Sequence, residues 1–145
     1  MKKNEKELEQ FLLFAIDQQQ FAIELIDITE IGEYLPVMPI PKSYKYILGV
    51  LNLRGIIVPI ISLRKRFKLS DDQITQDSGI VYVKKDNIIY GILVDKINGI
   101  VKFAIESIGK VPKIFKEKID IAYFKGMSEN NKEKVIILNT DALFE

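Results

Sequence analysis

The chain has 145 residues, 48% of them hydrophobic, with 21 basic and 20 acidic side chains and a formal net charge of +1. Such a length buries roughly two-thirds of the unfolded surface, enough for one compact domain without a disulfide or metal staple. Cysteine and histidine are both absent; this removes thiol nucleophiles, zinc-thiolate sites and the commonest general base, while near-neutrality argues against the concentrated basic face that duplex nucleic acid attracts.

The first nine residues are strongly charged, and the apolar run over residues 11–16 stops at Asp17. Neither a signal peptide nor a membrane span fits that pattern, and a cytoplasmic protein is expected. Residues 9–16 and 21–25 are β-leaning runs separated by Asp17-Gln18-Gln19-Gln20, the pattern of a hairpin. Residues 26–31 can begin as a helical turn, but Pro36, Pro39 and Pro41 favour an extended connector after it.

Residues 49–53 and 56–61 form two further β runs joined at Arg54-Gly55, where glycine can supply the positive φ of a tight turn. Pro59 cannot donate to a ladder, so its strand is expected at a sheet edge or a bulge. Ser62 can cap a short helix over residues 63–67, and a polar connector spans residues 68–78. The pattern then repeats: residues 80–83 and 88–94 flank a turn at Lys85-Asp86-Asn87, and residues 100–103 are β-like after Asn98-Gly99. Val111-Pro112-Lys113 reads as an irregular loop. Residues 119–124 and 135–138 flank a polar turn at 128–132, and Asn139 caps a short helix at about 140–145. With no apolar stripe long enough for a major helix, the class is mainly β, with short strands spaced as in small barrels.

Charge is segregated along this pattern. Glu7, Glu9, Asp17, Glu24, Asp27, Glu30 and Glu33 meet no base before Lys42, whereas Lys42, Lys45, Arg54, Arg64, Lys65, Arg66 and Lys68 meet no acid. Folding can pair the two segments, or leave them as two solvated faces.

The stretch over residues 47–67, with Gly49-Val50, Asn52-Leu53-Arg54-Gly55, the strand carrying Pro59, then Leu63-Arg64 and Phe67, resembles the signature of the CheW family of chemotaxis coupling proteins. The likeness runs from Phe11 to about Leu143 through Phe21-Ala22-Ile23, Glu30-Ile31, Gly91-Ile92-Leu93-Val94-Asp95 and Tyr123-Phe124-Lys125-Gly126. Ser62 stands where the family usually has aspartate, keeping the cap but losing the charge. Lys68 replaces the usual glycine, which asks the backbone there to avoid a strongly glycine-specific conformation.

The resemblance implies two small five-stranded SH3-like β-barrel lobes with short helices in one CheW-like domain over 1–145. The first lobe is expected at about 9–70 and the second at about 78–138, with strands possibly exchanged. It implies a non-catalytic adaptor without cofactor that joins the cytoplasmic hairpin tip of a chemoreceptor to the regulatory domain of the histidine kinase CheA, associated with receptor arrays but not inserted in the membrane.

Arg54 carries a planar donor fork suited to a bidentate carboxylate, and the charge layout makes Glu30 its partner. That pair either shapes a receptor-binding surface or is a partly exposed structural salt bridge. Leu25, Ile28 and Ile31 have the spacing of one face of a helical turn, which fits either an apolar receptor groove or the core. Family architecture adds Val94 and Ile97 to that groove from the second lobe. Asn52 and Gly55 are expected to hold the turn. For the kinase, Tyr44, Tyr46 and Leu48 are candidates, since exposed aromatics anchor interfaces, although tyrosine is equally at home half buried.

Other assignments are weaker. Arg64-Lys65-Arg66 reads as a solvated face, and Asp71, Asp72 and Asp77 lack the glycine and distal glutamate of a calcium loop. The alternative function is a small β-barrel binding nucleic acid through Lys42, Lys45 and residues 64–68, but no aromatics interleave those bases. An enzyme would have to work with Asp, Glu, Lys or Tyr alone. A closer alternative within the family is the regulatory module of the kinase itself, but the 145 residues show no ATP-binding or phosphotransfer region.

Overall fold

The computed structural model describes residues 7–111 and 121–144. The expected loop at Pro112-Lys113 and the expected start of a strand at Ile119-Asp120 lie outside the described residues. The strands are β1 (Leu8–Ile16), β2 (Gln19–Glu24), β3 (Ile28–Glu33), β4 (Ile47–Leu53), β5 (Ile56–Ser62), β6 (Gly79–Lys85), β7 (Ile88–Val94), β8 (Lys96–Ala104), β9 (Phe124–Asn130) and β10 (Glu133–Leu138). Two single-turn helices, α1 (Leu63–Arg66) and α2 (Thr140–Leu143), follow β5 and β10. In α1 the Ser62 hydroxyl accepts the Lys65 amide at 3.1 Å, the expected cap.

The strands form two five-stranded sheets, in the orders β8-β1-β2-β10-β9 and β3-β6-β7-β5-β4. Each sheet consists of two hairpins joined by one parallel pair, β2 with β10 and β5 with β7, plus a fifth antiparallel strand. The fifth strands are exchanged: β3 follows the β1–β2 hairpin yet pairs with β6, and β8 follows the β6–β7 hairpin yet pairs with β1. The sheets therefore do not follow a division near Ser70. One is continuous over residues 28–94, and the other is assembled from both sides of it.

Alternation explains why β1 is buried at every position from Phe11 to Ile16. Leu12, Phe14 and Ile16 enter a core between the sheets with Phe21, Leu63, Phe67, Val81, Val83, Ile92 and Val94, while Phe11 and Leu13 join a second cluster with Phe103, Val135 and Ile137 on the opposite face. The other sheet behaves alike: Val81 and Val83 face the shared core, and Ile80 and Tyr82 face a third cluster with Leu51, Leu53, Val58 and Ile60.

Several local expectations change. Only Leu25–Asp27 forms a helical turn, of 3-10 type, and residues 28–33 continue as strand. Leu25, Ile28 and Ile31 therefore share no helical face; Ile28 packs on the shared core while Ile31 is exposed. Residues 121–123 form a 3-10 turn rather than a strand, and β9 runs through the expected polar turn to Asn130, leaving Asn131-Lys132 to reverse the chain. Strand β5 is interior, yet Pro59 is tolerated. Its partner Val50 turns its own N–H and C=O to Met38, away from β5, at 2.9 and 2.7 Å. Pro59 thus occupies a non-hydrogen-bonded pair, and the ladder to β7 begins one residue later at Ile60.

Candidate functional site

The β4–β5 hairpin closes on the pair Leu53 and Ile56, leaving Arg54 and Gly55 as a two-residue turn with φ of 51° and 89°. Positive φ at both positions is the type I′ geometry that matches strand twist, so arginine as well as glycine adopts the left-handed region. Asn52 Oδ1 accepts the Gly55 amide at 2.7 Å, a hydrogen bond across the turn. Leu53 turns inward, and Arg54 projects outward with 69% of its side chain exposed.

Arg54 grips Glu30 with both guanidinium nitrogens: Nη1 donates to Oε2 at 3.0 Å, and Nη2 pairs with Oε1. Glu30 of β3 stands opposite Tyr82 of β6, on the face of the Tyr82 cluster and past a register shift that leaves Ile28 on the shared-core face, and keeps 33% of its side chain exposed. The hydrogen bonds from Arg54 hold the Glu30 carboxyl below its usual range and raise the Arg54 guanidinium above its own.

The apolar candidates differ in exposure. Ile31 is exposed on the same strand as Glu30. Leu25 is half-buried and lines a shallow recess with Glu9, Gln10, Glu24 and Ile26. Ile26, not singled out by the sequence pattern, is 89% exposed; four consecutive residues through a 3-10 turn cannot all face inward. Val94 is fully buried in the shared core and offers no surface to a partner, whereas Ile97 is half-buried beside Gly79.

Among the kinase candidates, Tyr44 is 71% exposed and stacks on Tyr46 with ring centroids 5.5 Å apart. The other face of Tyr46 carries the Arg66 guanidinium at 3.8 Å, which also lies 4.9 Å from the Tyr123 ring. Leu48 packs half-buried against the Tyr82 cluster.

Three sequence readings are corrected here. Arg64 is not solvated: it is buried and bound to Asp95 by Nε at 3.3 Å and Nη2 at 2.6 Å, to Asp17 at 2.6 Å and to Ser70 Oγ at 2.7 Å. Arg66 is likewise held, between two rings. Lys68 does enter the left-handed region, at φ 58°, at the end of α1. The charge missing at Ser62 is supplied from elsewhere, for its hydroxyl donates to Asp72 Oδ2 at 2.5 Å.

Among the described residues, no cluster of three or more acidic side chains converges as a metal site would, and no helix is long and apolar enough to cross a membrane.

Comparison with known proteins places this geometry. The chain is 28% identical over 143 residues to a chemotaxis protein CheW of Helicobacter pylori, covering 99% of this chain and 86% of that one. It is 32% identical over 136 residues to a chemotaxis protein CheW of Thermotoga maritima, covering 92% of this chain and 86% of that one. The crystal structure of the scaffolding protein TtCheW from Thermoanaerobacter tengcongensis matches with a TM-score of 0.87 at 26% identity, over 100% of this chain and 93% of that one. With the CheW-like domain model matching residues 10–145, the chain belongs to the CheW family of chemotaxis scaffold proteins.

Proposed function

We propose that this chain is a non-catalytic cytoplasmic adaptor that couples a chemoreceptor to the histidine kinase CheA in receptor arrays. The observation that carries the reading is the Glu30–Arg54 pair, presented at the tip of a rigid type I′ hairpin beside exposed Ile31. A charged fork on such a turn suits recognition of a polar helical hairpin, with Leu25, Ile28, Ile31 and Ile97 as the apolar surroundings. Tyr44 and Tyr46, with Leu48 behind them, supply the surface for the regulatory domain of the kinase. The nucleic-acid alternative loses ground because Arg64 and Arg66, two of the bases it needs, are engaged inside the protein.

The test is co-sedimentation with purified CheA and a chemoreceptor cytoplasmic fragment, with kinase activity followed in parallel. A ternary complex that stimulates the kinase is expected. Arg54→Glu should abolish receptor binding while the protein stays folded, and unchanged receptor binding of that variant would refute the role of the pair.

A further inference from the structure

Beneath the exposed ion pair lies a polar group that the fold leaves unused. Tyr82 is 1% exposed, and its hydroxyl oxygen is buried without a hydrogen-bond partner among the described residues. The residue is the direct cross-strand neighbour of Glu30, so both side chains lie on the same face of their sheet, the one that carries the third cluster. Gly32 and Gly91 flank the ring, where a Cβ would stand 3.6 Å from Cε2 and 3.5 Å from Cε1. Such neighbours have Cβ atoms about 4.5–5.5 Å apart, within reach of a rotamer change at the glutamate.

A buried hydroxyl without a partner is unfavourable, and so is a half-buried carboxylate deprived of its cation. In the free protein Arg54 satisfies Glu30, and only the hydroxyl is unsatisfied. When another group claims Arg54, the position reverses: Glu30 needs a donor, and the one built opposite it is Tyr82. The same coupling is visible in the Tyr82 phenol, pushed above its usual range by burial first and then by the Glu30 charge, with Arg54 opposing.

Building on the receptor reading proposed above, we infer that Tyr82 is a positioning residue for this surface, its hydroxyl taking over the Glu30 carboxylate when a partner engages the Arg54 guanidinium. The handover needs no backbone movement. It frees the arginine fork for a partner's carboxylate or carbonyl, while the buried hydroxyl gains a partner and the Glu30 carboxylate keeps one.

The decisive variant is Tyr82→Phe, which keeps the ring and removes only the hydroxyl. Affinity for a chemoreceptor cytoplasmic fragment, measured by calorimetry, should fall roughly tenfold, the order of one hydrogen bond to a charged group. Tm should stay level or rise, because the free protein loses an unsatisfied polar atom. A purely structural tyrosine would show the opposite, so unchanged affinity, or a loss of affinity that tracks a fall in Tm, overturns the inference. A second measurement follows the Glu30 carboxyl by carbon NMR in Arg54→Ala and in Arg54→Ala/Tyr82→Phe. The carboxyl should titrate lower in the single variant; identical titrations overturn the handover. The receptor reading fails separately if Arg54→Glu binds like the parent protein, and the NMR comparison judges the handover in either case.

Discussion

Arg64 and Asp95 are joined by a two-point contact across the seam between the sheets, Nε to Oδ1 at 3.3 Å and Nη2 to Oδ2 at 2.6 Å. Asp95 sits between β7 of one sheet and β8 of the other, and its Oδ2 also accepts the Asp17 amide at 2.6 Å. Arg64 thus ties the end of β5 to the β1–β2 turn and to the crossover strand. Removing it leaves Asp95 and Asp17 facing each other without a cation, but their side chains are 24% and 50% exposed, so water absorbs part of the loss. Arg64→Met is expected to cost about 2–4 kcal/mol and to lower Tm by roughly 5–15 °C in thermal denaturation. A change within 2 °C, on the order of a surface substitution, would mean the contact is energetically idle.

The Glu30–Arg54 pair predicts a pH dependence of definite sign. The folded-state carboxyl titrates below its usual range because Arg54 donates to it. The stabilisation is therefore present at pH values above the ordinary glutamate range and is lost as pH falls through the lowered folded-state value. Comparing Tm of the parent protein and Arg54→Gln at neutral and acidic pH should show a gap that shrinks on acidification. Both groups are at the surface, so the neutral gap should be at most about 3 °C and should narrow with added salt. A gap that widens in acid contradicts the pairing.

Lys68 holds φ at 58° just after the capped turn of α1, a conformation that costs a side chain more than it costs glycine. Lys68→Gly should therefore stabilise the protein by about 0.5–1 kcal/mol despite the added freedom of the unfolded chain. Urea denaturation gives the answer, and a lower midpoint would show that the lysine has compensating contacts.

Tyr44 and Tyr46 are stacked, yet they should respond differently. Tyr44→Ala removes an exposed ring and should weaken binding of the CheA regulatory domain, by roughly tenfold if the ring is an interface anchor, while Tm holds. Tyr46→Ala also takes away the ring beneath Arg66 and should cost stability, about 1–2 kcal/mol, because that cation is stacked away from solvent. Equal kinase affinity in Tyr44→Ala and the parent protein would remove these tyrosines from the kinase surface.

Much of this site was legible because its determinants are local. Asn52 and Gly55 are turn chemistry, Ser62 is cap chemistry, and the run of acids before a run of bases points Arg54 to Glu30 without knowledge of the fold. Residues 28–33 were harder, because a register shift between Ile28 and Glu30 interrupts the strand's period of two. The isoleucines at 28 and 31, three apart, then imitate a helical face. Arg64 and Arg66 look alike in sequence beside Lys65. What separates them is a pair of carboxylates at Asp17 and Asp95 and two rings at Tyr46 and Tyr123, all distant along the chain. Val94 was read as surface for the same reason, since its burial depends on a sheet contributed by other segments.

The exchange of β3 and β8 also orders the assembly of the protein in time. The sheet over residues 28–94 has all five strands once Val94 has been synthesised, whereas β2 must wait for β10, its parallel partner, which follows it by more than half the chain. Loop-closure entropy makes such distant pairings slow. During that interval β2 presents an unpaired strand edge, the kind of edge through which chains associate wrongly.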